Sequence, residues 1–170
     1  MIKQWKAGTG KLILIVTLFS LISACGFHLR GIQDVSEDKK LVILTPGNTD
    51  NQLLRSLRRN MKFNGITEAA NANYQIRLSN FRYKRRAATI SSSADVDEYE
   101  ISVEVSMLIL DRQGQPLTQN IKIQRDRIYT YDKDAAAASS EQEELLRGEL
   151  YDSIAQTILR RCLASNNTQQ

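Results

Sequence analysis

Apolar and polar residues alternate along much of this chain, and a period of two is typical of strands with one buried face. The alternation is clear in residues 74–83, 98–107 and 120–131. A compact apolar run at residues 41–45, which a Pro-Gly pair ends, predicts a further short strand. The apolar phase shifts at Ser79-Asn80, which predicts a β-bulge there. Because the connections between the last three strands are too short for crossover helices, we predict an antiparallel meander.

Apolar residues recur at helical spacing in a first segment, from Leu53 to Met61. Thr49 and Gln52 precede this segment at the spacing of a capping box, in which each side chain satisfies a free backbone donor. Asn64-Gly65 follows it and supplies a left-handed stop. We therefore predict a helix between these signals.

A second helical stripe runs through residues 146–158. Ser140 and Glu143 form a candidate capping box before it, and two arginines at residues 160–161 suit the negative end of the helix dipole. The order of elements predicts an α+β fold, with two helices packed on one face of a four-stranded, mostly antiparallel sheet (β-α-β-β-β-α).

The N-terminus has the layout of an export signal. Three lysines and no acids occupy its opening residues, and an apolar stretch of eleven residues follows at 12–22. A helix that spans a bilayer needs about 20 apolar residues. The stretch is therefore predicted to be a cleaved signal peptide, residues 1–24.

The end of this segment, Leu21-Ile22-Ser23-Ala24-Cys25, resembles a bacterial lipobox. The resemblance implies a mature chain that starts at Cys25 and carries acyl chains on that residue. Several chains hold a protein on a membrane durably, because each buried methylene contributes about 0.8 kcal/mol. In the usual sorting pattern of bacterial lipoproteins, an aspartate after the lipidated cysteine favours retention in the inner membrane. Gly26 occupies that position here and therefore indicates the periplasmic side of the outer membrane. The alternative is an ordinary signal peptide with a chance cysteine.

Removal of residues 1–24 changes the charge of the chain. The net charge falls from +4 to +1, so non-specific nucleic-acid binding loses its main support. The expected organisation has three parts after the signal: a lipid-anchored segment at 25–40, one α+β domain at 41–164 and a polar tail at 165–170. If Cys25 is lipidated, Cys162 has no second cysteine to pair with, and its place on the helical stripe predicts a packed core thiol.

The residues after the anchor, Cys25-Gly26-Phe27-His28-Leu29-Arg30-Gly31, resemble the start of the LptE (RlpB) family of lipopolysaccharide-assembly lipoproteins. Residues 149–152, Glu-Leu-Tyr-Asp, are a second and less specific similarity. The resemblance implies an outer-membrane lipoprotein that plugs the LptD β-barrel, assists its assembly and takes part in lipopolysaccharide delivery to the cell surface. Its implied partners are LptD, lipopolysaccharide and the outer membrane. Two alternatives are a structural lipoprotein of another envelope machine and a stand-alone periplasmic lipid carrier.

A basic cluster with interleaved aromatics lies at residues 81–86. We expect it to enter a hairpin with a loop at 91–94, which would place residues 84–86 opposite 99–101. One interpretation is cross-strand charge pairing with Glu98 and Glu100. The other is recognition of lipid A phosphates, which the planar fork of arginine suits well.

The first predicted helix also carries basic residues on its polar face. They form either a solvated outer face or a surface for phosphates or an acidic partner. Together the two groups supply the candidate lipopolysaccharide or partner contacts: Arg82, Lys84, Arg85, Arg86, Arg55, Arg58 and Arg59.

The sequence contains no motif of a hydrolase, a transferase or a metal centre. GxSxG, CxxC and a glycine-rich phosphate loop are all missing. The single histidine, His28, has no nucleophile or second ligand nearby in sequence, and we expect a structural role for it. We predict a protein that is not an enzyme and needs no cofactor or metal.

Overall fold

Five strands and two helices make up residues 40–164, the part of the chain that the computed structural model describes. In chain order they are β1 Leu41–Thr45, α1 Asn51–Phe63, β2 Thr67–Glu68, β3 Tyr74–Ile90, β4 Val96–Asp111, β5 Ile121–Thr130 and α2 Ala136–Ala164. The predicted signal peptide, Cys25, His28, Arg30 and the polar tail lie outside the described residues. No helix in the described part is long and apolar enough to cross a membrane.

The strands form one sheet in the order β2-β1-β3-β4-β5. The β3–β4 and β4–β5 pairs are antiparallel, as predicted, whereas β1 runs parallel to both β2 and β3. The α+β class with two helices is confirmed. The sheet has five strands where we expected four, because the two residues of β2 are too few to show any periodicity.

The hairpin of β3 and β4 is longer than the rest of the sheet. β1 pairs with β3 only from Tyr74 to Arg77, and β3 continues to Ile90. The predicted bulge is confirmed, because Asn80 has a positive φ of 53° and the register shifts between Ser79 and Arg82.

The start of α1 differs from the predicted capping box. Asp50 is the N-cap, and its Oδ1 accepts hydrogen bonds from the backbone N–H of Gln52 at 2.6 Å and of Leu53 at 3.4 Å. The role assigned to Thr49 was wrong, because the carboxylate one residue later reaches the same orphan donors. The predicted stop is confirmed: α1 ends at Phe63, and Gly65 has a φ of 71°.

The start of α2 also differs from the prediction. The helix begins at Ala136, four residues before the expected cap at Ser140, because a run of alanines has high helix propensity and extends it. Instead, Ser139 accepts a hydrogen bond from the backbone N–H of Asp132 at 3.1 Å. Glu143 does not form a capping box and is bonded elsewhere.

One hydrophobic core lies between the helices and the sheet. The helices contribute residues such as Leu53, Leu57, Leu150 and Ile154, all fully buried, and the strands contribute every second residue. Cys162 is only 3 % exposed in this core, so its predicted packing is confirmed.

Candidate functional site

Strand alternation divides the basic cluster of residues 81–86 between the two faces of the sheet. Tyr83 and Arg85 point towards α2, where both contact Glu143. Arg86 points the other way and pairs with Glu100 of β4. The cluster that is continuous in sequence therefore forms two separate sites.

The face of β3–β5 that points away from the helices is called the open face here. It consists of Arg82, Lys84 and Arg86 of β3, Glu100, Ser102 and Glu104 of β4, and Lys122, Asp126 and Ile128 of β5. The register places Arg82 opposite Glu104, and Lys84 opposite Ser102. Two of the three cations of β3, Arg82 and Arg86, thus lie opposite carboxylates of β4.

Two ion pairs bridge the strands of the open face. Arg86 donates from Nε to Glu100 Oε1 at 3.1 Å and from Nη2 to Oε2 at 2.7 Å, and Lys122 Nζ lies 2.7 Å from Glu104. The register places residues 84–86 opposite 100–102, one residue from the predicted alignment. Glu98 accepts its bond from Thr89 at 2.6 Å, so the cross-strand pairing we considered is present at Arg86 but not at Glu98.

Arg82 and Lys84 remain without an ion pair within the described residues. Their charges act on Glu104, whose pKa is lowered by the hydrogen bond from Lys122 and, to a smaller extent, by these two cations. Glu104 is therefore ionised at neutral pH, and Lys122 is its ion-pair partner. Arg82 and Lys84 are the cations of the open face that could bind an external anion.

The second site, here called the Glu143 cluster, consists of Tyr83, Arg85, Tyr99, Tyr129 and Glu143. The hydroxyl of Tyr83 donates to Glu143 Oε1 at 2.7 Å, and the hydroxyl of Tyr129 donates to Oε2. Arg85 Nε lies 2.9 Å from Oε2 and donates to the Tyr129 hydroxyl at 3.0 Å. One carboxylate of α2 therefore binds side chains from β3 and β5 together.

Arg85 also stacks on an aromatic ring, with its guanidinium carbon 3.4 Å from the centroid of Tyr99. A cation over a ring face is attracted by the ring quadrupole. Arg85 is thus held from two sides, by Glu143 and by Tyr99. A side chain held in this way is less available to an outside anion than Arg82 or Lys84.

The cluster also shifts the ionisation of its members. Burial acts to raise the pKa of Glu143, but the hydrogen bonds from Tyr129 and Tyr83 and the charge of Arg85 outweigh it, and the pKa is lowered. Burial, followed by the bond to Glu143, raises the pKa of Tyr83 and of Tyr129. At neutral pH the carboxylate is charged and both phenols are protonated donors, which suits their hydrogen bonds.

The arginines of α1 lie on the opposite side of the molecule from the open face. Arg58 Nε is 2.6 Å from Glu68 of β2, and Arg59 Nη2 is 2.6 Å from Asp152 of α2. Arg55 is exposed on the same helix. Two of these three candidates therefore connect elements of the fold.

The seven candidate residues thus lie in three places: the open face, the Glu143 cluster and α1. Sequence reasoning missed the role of Glu143, because its spacing from Ser140 fitted a capping box. It also missed Lys122, although the position of this lysine on the polar side of an alternating strand was a usable signal. The described residues contain no group of acidic, histidine and cysteine side chains that could hold a metal ion.

Solved structures of bacterial lipoproteins share this fold. A solution structure of lipoprotein B from Nitrosomonas europaea matches with a TM-score of 0.69 at 22 % identity, covering 84 % of this chain and 94 % of that one. A crystal structure of a minor lipoprotein from Acinetobacter baumannii matches with a TM-score of 0.62 at 25 % identity, covering 76 % and 92 %. The fold is that of a class of small α+β lipoprotein domains.

The family follows from the sequence comparisons. The model of the family described as LptE, lipopolysaccharide-assembly, matches residues 38–162. The chain belongs to the LptE family, as its resemblance at Cys25–Gly31 predicted. A protein named LPS-assembly lipoprotein LptE from Photorhabdus laumondii is 24 % identical over 165 residues, which cover 94 % of this chain and 88 % of the relative. A protein of the same name from Yersinia pestis is 25 % identical over 159 residues, covering 89 % and 75 %.

Proposed function

We propose that this protein is an outer-membrane lipoprotein that plugs the LptD β-barrel, assists its assembly and takes part in lipopolysaccharide delivery. The observation that carries the proposal is the LptE family match across residues 38–162. Relatives named for lipopolysaccharide assembly, which align along most of their length, support the lipopolysaccharide-assembly part of this proposal. The proposal includes a lipid anchor at Cys25 on the periplasmic side of the outer membrane.

The surface of the described domain suits the lumen of a barrel. Such a lumen is polar, so a domain that fills it needs a charged exterior that can form hydrogen bonds. The open face and the arginines of α1 both provide such an exterior. An anchor at Cys25 would also raise the effective concentration of the domain beside the barrel.

We assign lipopolysaccharide contact to the open face. Lipid A presents phosphates above acyl chains, so a receptor for it needs cations close to apolar surface. Arg82 and Lys84 supply cations without an ion pair in the described part, and Ile128 on the same face is 55 % exposed. Arg86 adds a third cation at the cost of its pairing with Glu100. Arg85 is excluded from this assignment because it faces α2.

The first test is a mild-detergent pull-down of the tagged full-length protein from its own outer membrane, followed by mass spectrometry. Recovery of one large β-barrel in near-equal amount is the expected result. Recovery of the lipoprotein alone would favour a stand-alone lipid carrier, and recovery with an unrelated machine would favour a structural role elsewhere in the envelope.

Lipopolysaccharide contact has a separate test, because it could fail while the barrel is still recovered. The double variant Arg82→Glu/Lys84→Glu should weaken binding of purified lipopolysaccharide by at least about tenfold, since two favourable charge contacts become repulsive. The matched control, Arg112→Glu/Lys62→Glu, has the same change of charge away from the open face and should bind normally. Equal binding by both double variants would remove the open face as the contact.

A further inference from the structure

Among the described residues, no strand pairs with β3 on the side opposite β4 along the distal part of the hairpin. β1 ends opposite Arg77, and the loop that follows it covers the edge for a few residues more. A Cβ at Gly47 would lie 2.3 Å from the carbonyl oxygen of Leu78, and Asn48 Oδ1 accepts a hydrogen bond from the backbone N–H of Phe81 at 3.4 Å. From residue 82 to residue 90, no described strand other than β4 pairs with β3.

This edge of β3 is long enough to bind a peptide strand. Nine residues at about 3.3 Å each span about 30 Å. In an antiparallel pair, every second residue directs its N–H and C=O away from its partner strand. Residues 82–87 therefore direct every second backbone N–H and C=O to the side opposite β4, and the register with β4 shifts between Ala87 and Ile90.

In β5, the strand at one edge of the sheet, two backbone carbonyl oxygens accept hydrogen bonds from side chains. Arg125 Nη1 donates to the carbonyl oxygen of Gln124 at 2.7 Å, and Arg127 Nη1 donates to that of Asp126 at 2.9 Å. Two carbonyls of β5 thus have side-chain donors from their own strand. Within the described residues, the backbone of 82–90 has no hydrogen bond of this kind.

The side chains along the edge define the chemistry of its partner. Residues 82–90 contain four basic residues and no acid. Charged side chains along an edge disfavour pairing with a strand of the same charge and favour one of opposite charge. On the face towards α2, Tyr83 is only partly buried, so an apolar side chain on an added strand would cover it further.

We propose that residues 82–90 of β3 bind an extended segment of a partner protein by β-strand addition. The segment has acidic residues at alternate positions, facing Arg82, Lys84 and Arg86, and apolar residues at the positions between them. Main-chain hydrogen bonds hold the segment, and the alternating charges select it. This mode of binding goes beyond the proposed function, because it assigns a particular edge and a particular sequence chemistry to a protein partner.

The test uses the full-length protein in detergent, without lipopolysaccharide, and a nine-residue peptide in which Glu and Val alternate. Hydrogen exchange of backbone amides is measured for residues 82–90 and, as an internal control, for β5. Saturating peptide should slow exchange at alternate amides of 82–90 by about tenfold and leave β5 unchanged. The matched peptide of alternating Lys and Val should give no protection.

Two further peptides separate main-chain pairing from charge attraction. Each keeps the Glu-Val sequence, and one is N-methylated at the Glu residues and the other at the Val residues. N-methylation removes backbone donors but no charge, so one of the two should lose the protection. Equal protection by both would overturn the proposal, as would no protection by the parent peptide. Slow exchange of 82–90 before any peptide is added would also overturn it, because another part of the chain would then cover the edge.

Charge reversal supplies a variant whose effect a purely structural role would not produce. The double variant Arg82→Glu/Lys84→Glu should reverse the peptide preference of residues 82–90. The Lys-Val peptide should then protect their amides from exchange, and the Glu-Val peptide should not. Circular dichroism would establish that the variant is folded. A folded variant that still prefers the Glu-Val peptide would contradict the selection by charge.

Discussion

Glu143 binds side chains from two strands of the sheet, β3 and β5. Both of its carboxylate oxygens accept a tyrosine hydroxyl, and Arg85 lies beside the second oxygen. Its side chain is 20 % exposed, so water can replace these partners only in part. Glu143 therefore joins α2 to the hairpin by polar contacts, alongside the apolar core.

The substitution Glu143→Gln tests this joint. It keeps the shape of the side chain but removes the charge, and one amide nitrogen then faces a hydroxyl donor. The free energy of unfolding should fall by about 1–3 kcal/mol, because a partly buried charged acceptor of three side chains is lost. Urea denaturation measures the change. The control is Glu144→Gln, whose carboxylate is 71 % exposed and 3.8 Å from Arg147, and its effect should stay within about 0.5 kcal/mol.

The same carboxylate predicts a pH dependence of stability. The pKa of Glu143 is lowered from its ordinary value of 4.5 in the folded protein. Its stabilisation is therefore fully present above about pH 4.5 and is lost as the pH falls through the lowered folded pKa. The difference in unfolding free energy between the wild type and Glu143→Gln should narrow in acid. A difference that stays constant down to about pH 2 would mean that ionisation of Glu143 does not contribute.

Sequence reasoning at this scale identified basic residues but not their surroundings. Alternation indicates that Arg85 and Arg86 face opposite ways, yet only the packing of α2 determines that Arg85 meets a carboxylate. Glu143 and Arg85 are distant in sequence, and no local pattern links them. Contacts of this kind depend on tertiary structure and have no local signature.

At the scale of elements, local signals predicted where helices end better than where they begin. Gly65 follows the end of α1 with a positive φ, as expected. Glycine favours this left-handed conformation because it has no Cβ, so the signal can be recognised from the sequence alone. The start of α1 was mistaken because two neighbouring polar side chains could cap it, and the start of α2 was mistaken because a run of alanines extends the helix. Thr49 and Asp50 could each cap α1. The backbone conformation places the Asp50 carboxylate beside the free N–H groups, and the sequence alone does not reveal this conformation.

The cap of α1 can be tested directly. Asp50→Ala should lower the free energy of unfolding by about 0.5–2 kcal/mol, because two backbone donors at the start of α1 lose their acceptor. Thr49→Val is the comparison. The Thr49 hydroxyl is buried without a hydrogen-bond partner in the described part of the chain, so its removal should leave stability unchanged or raise it. The reverse order of effects in thermal or urea denaturation would restore Thr49 as the cap.

The strands were predictable because each has one buried face over many residues. β4 shows this best, with Ile101, Val103, Val105, Met107 and Ile109 all fully buried. The two residues of β2 carry no such pattern, and β1 gives no sign of its parallel pairing. Pairing direction depends on how the chain returns to the sheet, which the periodicity of one strand does not contain.

At the scale of the whole molecule, the proposed attachment to the membrane depends on Cys25. The variant Cys25→Ala should leave the membrane fraction, because it lacks the thiol that would carry the acyl chain, and it should fold because the apolar core between the helices and the sheet is unchanged. Fractionation with a salt wash measures attachment, and circular dichroism measures folding. Cys162→Ala, which removes a buried thiol instead, should stay in the membrane fraction. If Cys25→Ala remained in the washed pellet, partner binding would have to hold it there.

The family was recognisable from a few residues near the N-terminus, although the chain is only 24 % identical to the P. laumondii protein over 165 residues. A fold can persist at such identity because many apolar sequences fill the same core. Recognition of the family did not reveal which surfaces bind, because the charged positions of the open face depend on register. These positions became clear only from the pairing of β3, β4 and β5.

The parallel pairing of β1 with the first residues of β3 places the start of the sheet at one end of β3. Val42 lies opposite Tyr74, so the chain enters the sheet where β3 begins, and the hairpin turn lies at the other end of that strand. At about 3.3 Å per residue, the path from Tyr74 to Ile90 covers roughly 50 Å. Within the described domain, the point where the chain enters the sheet and the hairpin turn thus lie at opposite ends of β3. The length of β3 therefore determines how far the turn lies from that point of entry.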